Sequence, residues 1–323
     1  MNNLAVDNHL PPDFLTAALR SDALRGLTAT PKWLPPKWFY DERGSELFEQ
    51  ITRLPEYYPT RAERSILDAR AGEIATVSKA ETLVELGAGS AEKTRLLLDA
   101  LREAGMLRRY VPVDVSEAAL RQAAAGVLDE YPGLSVHAVV ADFEEHLDRL
   151  PNGGMRMVAF LGGTIGNLVP DERARFLRDV RANLRPGETL LLGTDLVKSP
   201  DVLVPAYDDS AGVTAEFNKN VLHVINRELK ADFDPDAFEH VAVWDARAEW
   251  IEMRLQSLVA QRVRVELLGL DVSFEAGEQW RTEVSAKFRR DGIAAELATA
   301  GFDLGRWWTD DEGRFGLSLS TAV

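Results

Sequence analysis

Thr82-Leu83-Val84-Glu85-Leu86-Gly87-Ala88-Gly89-Ser90-Ala91-Glu92-Lys93-Thr94 is the stretch of the sequence that decides the fold. Its apolar first half is typical of a buried parallel strand, and its glycines allow a tight turn without crowding by a Cβ atom. Residues 94–101 continue with the apolar spacing of a helix, so the unpaired backbone N–H groups of the first helical turn would lie beside the glycines. This order of strand, turn and helix is typical of a nucleotide-binding site.

The glycines by themselves do not determine which ligand the turn would bind. Glu92 stands where the third glycine of the dinucleotide-binding pattern G-x-G-x-x-G would be. The same stretch also suits an ordinary corner between a strand and a helix. The choice between a cofactor site and a corner therefore depends on the residues that follow.

Acidic residues end the next two predicted strands. Asp114 lies 27 residues after Gly87 (114 − 87), near the distance at which an acid accepts hydrogen bonds from ribose hydroxyls. Asp142 and Phe143 end the third predicted strand, and an adenine could lie between them. Either aspartate could instead be the N-cap of a following helix. Their occurrence after successive strands favours a nucleotide-like cofactor.

Composition restricts the class of protein. The chain has 323 residues, enough for one large or two moderate domains. Its 52 acidic and 37 basic residues give a formal net charge of −15, which argues against a broad nucleic-acid-binding surface and suits a small cationic or zwitterionic substrate. The absence of cysteine excludes disulfides, thiolate zinc sites and cysteine nucleophiles. With no membrane-spanning apolar run and no secretory signal pattern, we expect a cytoplasmic protein whose residues 1–12 form a loose tail.

Hydrophobic periodicity divides the chain into two kinds of structure. Alternating strand and helix patterns in residues 83–197 predict a doubly wound α/β sheet, which a hairpin over 307–319 would complete. Residues 206–229 predict a helix with Tyr207 near its start. The segment 250–258 alternates with period two, which indicates an antiparallel strand. This alternation predicts Ile251, Met253 and Leu255 inward and Glu252, Arg254 and Gln256 outward.

Two aromatic loops precede the glycine strand. Residues 35–41 and 54–61 each combine aromatic rings with bracing prolines. Each aromatic alone could be a core residue, but the two loops together are better explained as the rim of a pocket. A metal site is not expected, because the acidic run 232–236 lacks the glycine and final acid of a calcium loop and the side chains of 142–146 cannot converge on one ion.

These segments together resemble a known family. The glycine strand, the two later acids and the Pro-Gly pair at 186–187 resemble class I S-adenosylmethionine-dependent methyltransferases. Residues 35–41, 54–61, 162–167 and 282–285 are similar to the histidine-specific Nα-methyltransferases of ergothioneine biosynthesis, of the actinobacterial type. The resemblance implies Nα-trimethylation of L-histidine to hercynine, the first step of ergothioneine biosynthesis, by a monomer that needs no nucleic acid or membrane.

The resemblance also implies the fold and the domains. It implies an α/β fold with a Rossmann-like class I methyltransferase sheet and a second α+β substrate-binding domain. Residues 62–196 and 287–323 would form the S-adenosylmethionine-binding domain, and residues 1–61 and 197–286 the substrate-binding domain.

The same resemblance assigns site residues. Lys93 would meet the carboxylate of the cofactor and Asp114 its ribose; Glu283 and Ser285 would bond the two imidazole nitrogens. The sequence departs from the family pattern at Gly163, where a serine is expected, and at Ala286, where a cysteine is expected, although neither should alter the chemistry. The full cofactor set is Gly87, Lys93, Asp114, Asp142 and Phe143. The full substrate set is Tyr57, Asn167 and Tyr207 around the amino and carboxylate groups, Tyr40 and Met253 lining the pocket, and Glu283 and Ser285 at the ring.

The expected chemistry is positioning, without a covalent enzyme intermediate or a catalytic acid or base. A methyl sulfonium is already activated, so the protein mainly aligns a neutral amine with the S–CH₃ bond. Asparagine and tyrosine suit this role, because a carboxylate beside the amine would favour its protonated, non-nucleophilic form. Two other functions share the glycine turn: a nicotinamide-dependent oxidoreductase, and a regulator that binds S-adenosylmethionine without catalysis.

Overall fold

The computed structural model describes residues 4–89 and 93–323. These residues form two compact units. The first unit contains residues 4–11, 61–196 and 288–323, and the second contains residues 12–60 and 197–287. Glu92, which occupies the third-glycine position, lies outside the described residues.

The described residues form strands and helices along the whole chain. The strands are β1 (Leu4–Asn8), β2 (Thr82–Leu86), β3 (Arg109–Asp114), β4 (Ser135–Val140), β5 (Arg156–Phe160), β6 (Thr189–Asp195), β7 (Phe238–Asp245), β8 (Trp250–Ser257), β9 (Gln261–Val265), β10 (Leu270–Phe274), β11 (Gln279–Ala286), β12 (Phe302–Thr309) and β13 (Phe315–Ala322). The helices are α1 (Phe14–Thr28), α2 (Glu42–Ile51), α3 (Pro59–Ser78), α4 (Thr94–Glu103), α5 (Glu117–Glu130), α6 (Pro170–Ala182), α7 (Pro200–Leu203), α8 (Val213–Leu229) and α9 (Arg290–Ala300).

The first unit is built on one sheet with the strand order β1-β4-β3-β2-β5-β6-β13-β12. Strands β1 to β6 pair in parallel, while β13 pairs antiparallel with both β6 and β12. From β2 the chain builds outward through β3 and β4, and then returns to the other side of β2 with β5. Ligands bind at the carboxyl ends of the strands where such a sheet reverses direction. The predicted doubly wound sheet and its terminal hairpin are confirmed.

The N-terminal segment differs from the prediction. Residues 4–8 form β1, which pairs with the edge of β4 in the register Leu4↔Val136, so the expected loose tail is wrong for these residues. Val6 packs against a buried apolar cluster that includes Ala138 and Val140. A strand of five residues that is completed by a distant partner carries too short a pattern to be recognised alone. The segment belongs with the first unit, whereas the predicted division placed residues 1–61 in the substrate-binding domain.

The second unit contains a three-stranded antiparallel sheet, β11-β8-β7, a separate hairpin of β9 and β10, and the helix α8 packed on β7 and β8. The predicted helix 206–229 begins only at Val213, and Tyr207 precedes it. Gly212 has a left-handed φ of 74°, which interrupts a helix, and the Asp209 carboxylate accepts the N–H groups of Val213 and Thr214 at the new start. Tyr207 is therefore held in a loop instead of on a helix face.

A β-bulge divides strand β11. Arg281 pairs with Arg254 and Glu283 pairs with Met253, so Thr282 is an extra residue without a partner on β8. The bulge places the side chain of Arg281 on one face of the sheet and that of Glu283 on the other. The predicted outward position of Glu252 is wrong, because the residue is only 7% exposed and its side chain lies on the Arg281 face. It accepts hydrogen bonds from Trp250 and Arg254 there, so its charge is compensated although it is buried.

Gly44 should be intolerant of any side chain. It is the third residue of α2, and a Cβ atom placed on it would lie 1.6 Å from the carbonyl oxygen of Phe39. We expect Gly44→Ala to lose about 1–3 kcal/mol of stability, since the segment that carries Tyr40 must move. Thermal unfolding measures this loss.

Gly292→Ala is the matched control. Gly292 is the third residue of α9, and a Cβ atom there meets nothing within 4 Å. The control should be unchanged or more stable by up to about 1 kcal/mol because of helix propensity. Equal melting temperatures for the two variants would show that the contact at Gly44 is not restrictive.

Candidate functional site

The glycine turn lies at the carboxyl end of β2. Gly87 and Gly89 have φ of +70° and +48°, in the left-handed region that favours glycine, and the Gly87 N–H donates to the carbonyl of Val113 at 2.9 Å. A Cβ atom on Gly87 would be 4.0 Å from the ring of Phe143. Two of the predicted cofactor residues are therefore neighbours.

Of the two predicted acids, Asp114 is the last residue of β3, and Asp142 lies two residues after β4. The Asp114 carboxylate accepts the backbone N–H groups of Ser116, at 3.1 Å, and of Gly89, while burial raises the pKa of Asp114 above its ordinary value. The N-cap of α5 is Ser116, so the alternative role of Asp114 as a helix cap is not observed. Asp142 is 6% exposed and accepts the N–H of Glu144, which stabilises a turn and not a helix.

Phe143 completes this group of residues. Its ring lies edge-on to Phe160 and Phe176, with centroid distances of 5.2 and 6.0 Å. The first unit thus combines a glycine turn, two carboxylates and a group of aromatic rings, the arrangement that the sequence predicts for a nucleotide-like ligand.

Lys93 has a partner that the sequence did not predict. Its ammonium group forms an ion pair with Glu63, a fully buried residue of α3 that also accepts the backbone N–H of Gly162 at 2.8 Å. Gly193 makes room for this carboxylate, since a Cβ atom there would lie 2.2 Å from Glu63 Oε1. Helical periodicity could have indicated that Glu63 is buried, because it lies on the same helix face as the buried residues Ile66 and Leu67.

Asn167 lies in the first unit, at the end of a short 3-10 turn, Thr164–Asn167, that follows β5. Gly162 and Gly163 precede the turn with φ of +78° and +71°. The left-handed backbone explains why glycine suits position 163, where a serine would be strained.

The other six predicted substrate residues lie in the second unit, where three tyrosines belong to one aromatic cluster. Phe48 joins Tyr40, at a centroid distance of 5.5 Å, to Tyr57, at 6.1 Å, and Tyr57 contacts Tyr207 at 6.4 Å. Sequence reasoning singled out the tyrosines but missed Phe48, which occupies an ordinary apolar position of a helix. The second unit therefore presents a wall of aromatic rings built from both loops.

Glu283 faces this aromatic wall. Burial raises the pKa of the Tyr40 hydroxyl well above its ordinary value. The neighbouring groups Glu283, Tyr57 and Tyr207 raise this pKa further. Tyr40 as a whole is 47% exposed, so part of this residue meets solvent. Met253 pairs directly with Glu283 across two antiparallel strands, so their side chains share one face.

Ser285 lies on the same face two residues further along β11. Its Oγ is 2.7 Å from the hydroxyl of Tyr207. Lys287, only 4% exposed, donates hydrogen bonds of 2.8 Å to both of these oxygens. Lys287 was missed from the sequence, because a lysine at the end of a strand is usually solvated.

Tyr207 is also held through its backbone. The carbonyl of Tyr207 is 2.7 Å from His240 Nε2, and His240 Nδ1 is 2.8 Å from the amide nitrogen of Asn218. The amide oxygen of Asn218 accepts from Thr282, the bulge residue. A chain of buried polar groups thus connects the bulge to Tyr207.

Comparison with known proteins identifies the family. The family model for histidine-specific, S-adenosylmethionine-dependent methyltransferases matches residues 19–322. The chain belongs to this family. The resemblance stated from the sequence is confirmed. The alternative prediction, a nicotinamide-dependent oxidoreductase, is wrong.

The relatives of this histidine-specific methyltransferase include proteins of similar length. A "Histidine N-alpha-methyltransferase" of Mycolicibacterium smegmatis is 59% identical over 98% of this chain and 99% of that protein. A protein of the same name from Mycobacterium tuberculosis is also 59% identical, with the same coverage of both chains. "Ergothioneine biosynthesis protein 1" of Schizosaccharomyces pombe is 33% identical over 66% of this chain and 29% of that protein.

The residues of the first unit fit S-adenosylmethionine, the cofactor of the family. Lys93 could hold its carboxylate, because an ammonium group has three donors and the pairing with Glu63 uses part of this capacity. The Asp114 carboxylate could accept from ribose hydroxyls, and Phe143 could lie against the adenine. In the part of the chain that the structure describes, no group of acidic residues and histidines could hold a metal ion, and no helix is long and apolar enough to cross a membrane.

A buried acid beneath the glycine turn makes the stability of this methyltransferase depend on pH. Glu85 accepts hydrogen bonds from Thr94 and Tyr110, and burial raises its pKa from 4.5 to about 7. Between these values the unfolded chain has lost the proton that the folded protein keeps, so stability falls as the pH rises. We expect the wild-type protein to lose on the order of 3 kcal/mol of stability between pH 4.5 and 7 through this group, and the Glu85→Gln variant not to show this loss. Melting temperature against pH measures the difference.

Glu188→Gln provides the control with the opposite sign. Although burial opposes it, hydrogen bonds from Arg156 and Arg185 lower the pKa of Glu188 from 4.5 to about 2. Its carboxylate therefore stabilises the fold above pH 4.5, and this contribution is lost as the pH falls toward 2. A difference between wild type and Glu85→Gln that does not change with pH would show that Glu85 is not titrating in this range.

Proposed function

We propose that the protein transfers three methyl groups from S-adenosylmethionine to the α-amino nitrogen of L-histidine and so forms hercynine, the first step of ergothioneine biosynthesis. The observation that carries this proposal is the shared face of β11, where Glu283 lies opposite Met253 and Ser285, two residues further along, lies opposite Ile251. The names of the two mycobacterial relatives support the same substrate and the same nitrogen.

Recognition of the imidazole ring would come from Glu283 and Ser285. A carboxylate accepts hydrogen bonds only, whereas a hydroxyl can also donate, so the pair offers complementary groups to a ring with one N–H and one unprotonated nitrogen. Phenylalanine has neither a ring N–H nor a ring nitrogen, so it would form neither of these two hydrogen bonds, which is costly at a buried site. This cost would select histidine among amino acids of similar size.

Alignment of the amine would be the main catalytic contribution of the chain. When bound, S-adenosylmethionine supplies a methyl group that is already activated by its sulfonium centre. Tyr57, Tyr207 and Asn167 would orient the amino and carboxylate groups of the substrate by hydrogen bonds. None of them is a carboxylate, so they do not favour the protonated amine that cannot react.

Three successive methylations need a site that tolerates a growing cation. Each methyl group removes an N–H donor, and the final product is a quaternary ammonium ion. The rings of Tyr40, Phe48 and Tyr57 form the continuous wall described above. The negative faces of aromatic rings attract a quaternary ammonium group, so the site would continue to bind the intermediate as hydrogen bonds are lost.

Incubation of the purified protein with S-adenosylmethionine and single amino acids tests this function. We expect mass gains of one, two and three methyl groups on L-histidine, with the trimethylated product accumulating. A product with only one methyl group would disprove trimethylation. No mass gain on histidine would disprove the substrate and would leave the non-catalytic regulator as the alternative. A monomeric state in the cytoplasm stays a prediction, for which size-exclusion chromatography tests the first part.

Glu283→Ala should weaken the selection of histidine. The variant removes a 9%-exposed acceptor opposite Met253, so we expect kcat/KM for histidine to fall by the equivalent of about 1–3 kcal/mol. Glu239→Ala is the control, since it removes an exposed carboxylate from β7 of the same sheet. Unchanged histidine kinetics in Glu283→Ala, or an equal loss in the control, would exclude the proposed role.

A further inference from the structure

Three polar atoms form a closed triangle in the second unit. The hydroxyl oxygens of Tyr207 and Ser285 are 2.7 Å apart, and Lys287 Nζ is 2.8 Å from each of them. The ammonium group also lies 4.6 Å from the centroid of the Tyr207 ring, a favourable position for a cation.

The chemistry of these groups determines which atom donates to which. An ammonium group has only donors, so both hydroxyl oxygens accept from Lys287. Only one of the two hydroxyls can donate its proton in the hydrogen bond between them. The phenol of Tyr207 is the stronger acid and hence the better donor. Ser285 then accepts from both Lys287 and Tyr207. Because a serine hydroxyl has two acceptor lone pairs and one proton, its own proton must be donated to a third group.

We propose that Lys287 is a positioning residue that orients the Ser285 hydroxyl as a donor toward the unprotonated ring nitrogen of bound histidine. This proposal rests on the proposed function. Glu283 accepts from the N–H on the other side of the ring, so the site takes the neutral imidazole in one tautomer. A ring that carries only an N–H, such as indole, presents no acceptor to Ser285.

Lys287→Met tests the proposal, because methionine is similar in length but has no N–H donor. We expect KM for histidine to rise about tenfold, the equivalent of one buried hydrogen bond, while kcat changes less than about threefold. Tyr207 keeps its backbone contact with His240 in this variant, so we expect the alignment of the amine to change little. A variant that is merely unstable would instead lower the amount of active enzyme and hence kcat.

A double-mutant cycle distinguishes action through Ser285 from a general effect. In the Ser285→Ala background, Lys287→Met should change KM by less than about twofold, since the hydroxyl that it orients is absent. If Lys287→Met does not fold, Lys287→Gln replaces it. Glutamine is shorter and uncharged, and its amide does not reach both hydroxyls, so the same direction of change is expected.

Lys198→Met is the matched control. Lys198 donates to the hydroxyl of Tyr58 at 2.7 Å and lies 4.5 Å from the centroid of that ring, a similar pair in the same unit. Its loss should leave KM for histidine unchanged. An unchanged KM in both Lys287 variants, or effects of Lys287 and Ser285 that multiply, would overturn the positioning role. Failure of the wild-type protein to methylate histidine would instead overturn the proposed function and the inference with it.

Discussion

The β-bulge at Thr282 is the constraint on which the rest of the second unit depends. Without the extra residue, side chains along β11 would alternate strictly, and Arg281 would share a face with Glu283. With it, Arg281 compensates the buried charge of Glu252 on one face, while Glu283 lies opposite Met253 on the other. A bulge next to a functional site commonly redirects a side chain in this way. Here it separates a structural cluster of charges from the proposed recognition surface within a single strand.

Helix α8 holds residues from distant parts of the sequence around this surface. Asn218 connects the bulge to the loop of Tyr207, as described above, and Asn220 donates to the carbonyl of Phe39 and to the Asp41 carboxylate. The two hydrogen bonds of Asn220 fix the residues on either side of Tyr40. Two asparagines of one helix therefore position aromatic residues that are more than a hundred positions apart in the chain. Since both asparagines are buried, the stability of the fold and the proposed recognition of the substrate would depend on the same hydrogen bonds.

Local patterns explain how much could be predicted from the sequence. The glycine turn after β2, the acids after β3 and β4 and the period-two strands of the second unit follow from residues near each other, and these predictions agree with the structure. Glu63, Lys287 and Phe48 could not be assigned in this way, because their roles arise from contacts with residues far away in the chain. The bulge could not be predicted from the sequence either, since every residue from 282 to 286 is buried and no alternation of buried and exposed residues marks the extra position. Strand β1 exists only because β4 offers an open edge.

In the proposed site, some of the groups that set the direction of the hydrogen bonds need not touch the substrate. Burial lowers the pKa of His240, which keeps the imidazole neutral, and the Asn218 amide group donates to its Nδ1, so the proton is on Nε2 and is donated to the Tyr207 carbonyl. Lys287 fixes the hydroxyl at the other end of the same residue. Tyr207 is thus oriented at both ends, and neither orientation depends on the ligand. A site organised in this way would need little rearrangement when histidine binds, because the direction of its hydrogen bonds is set by the fold.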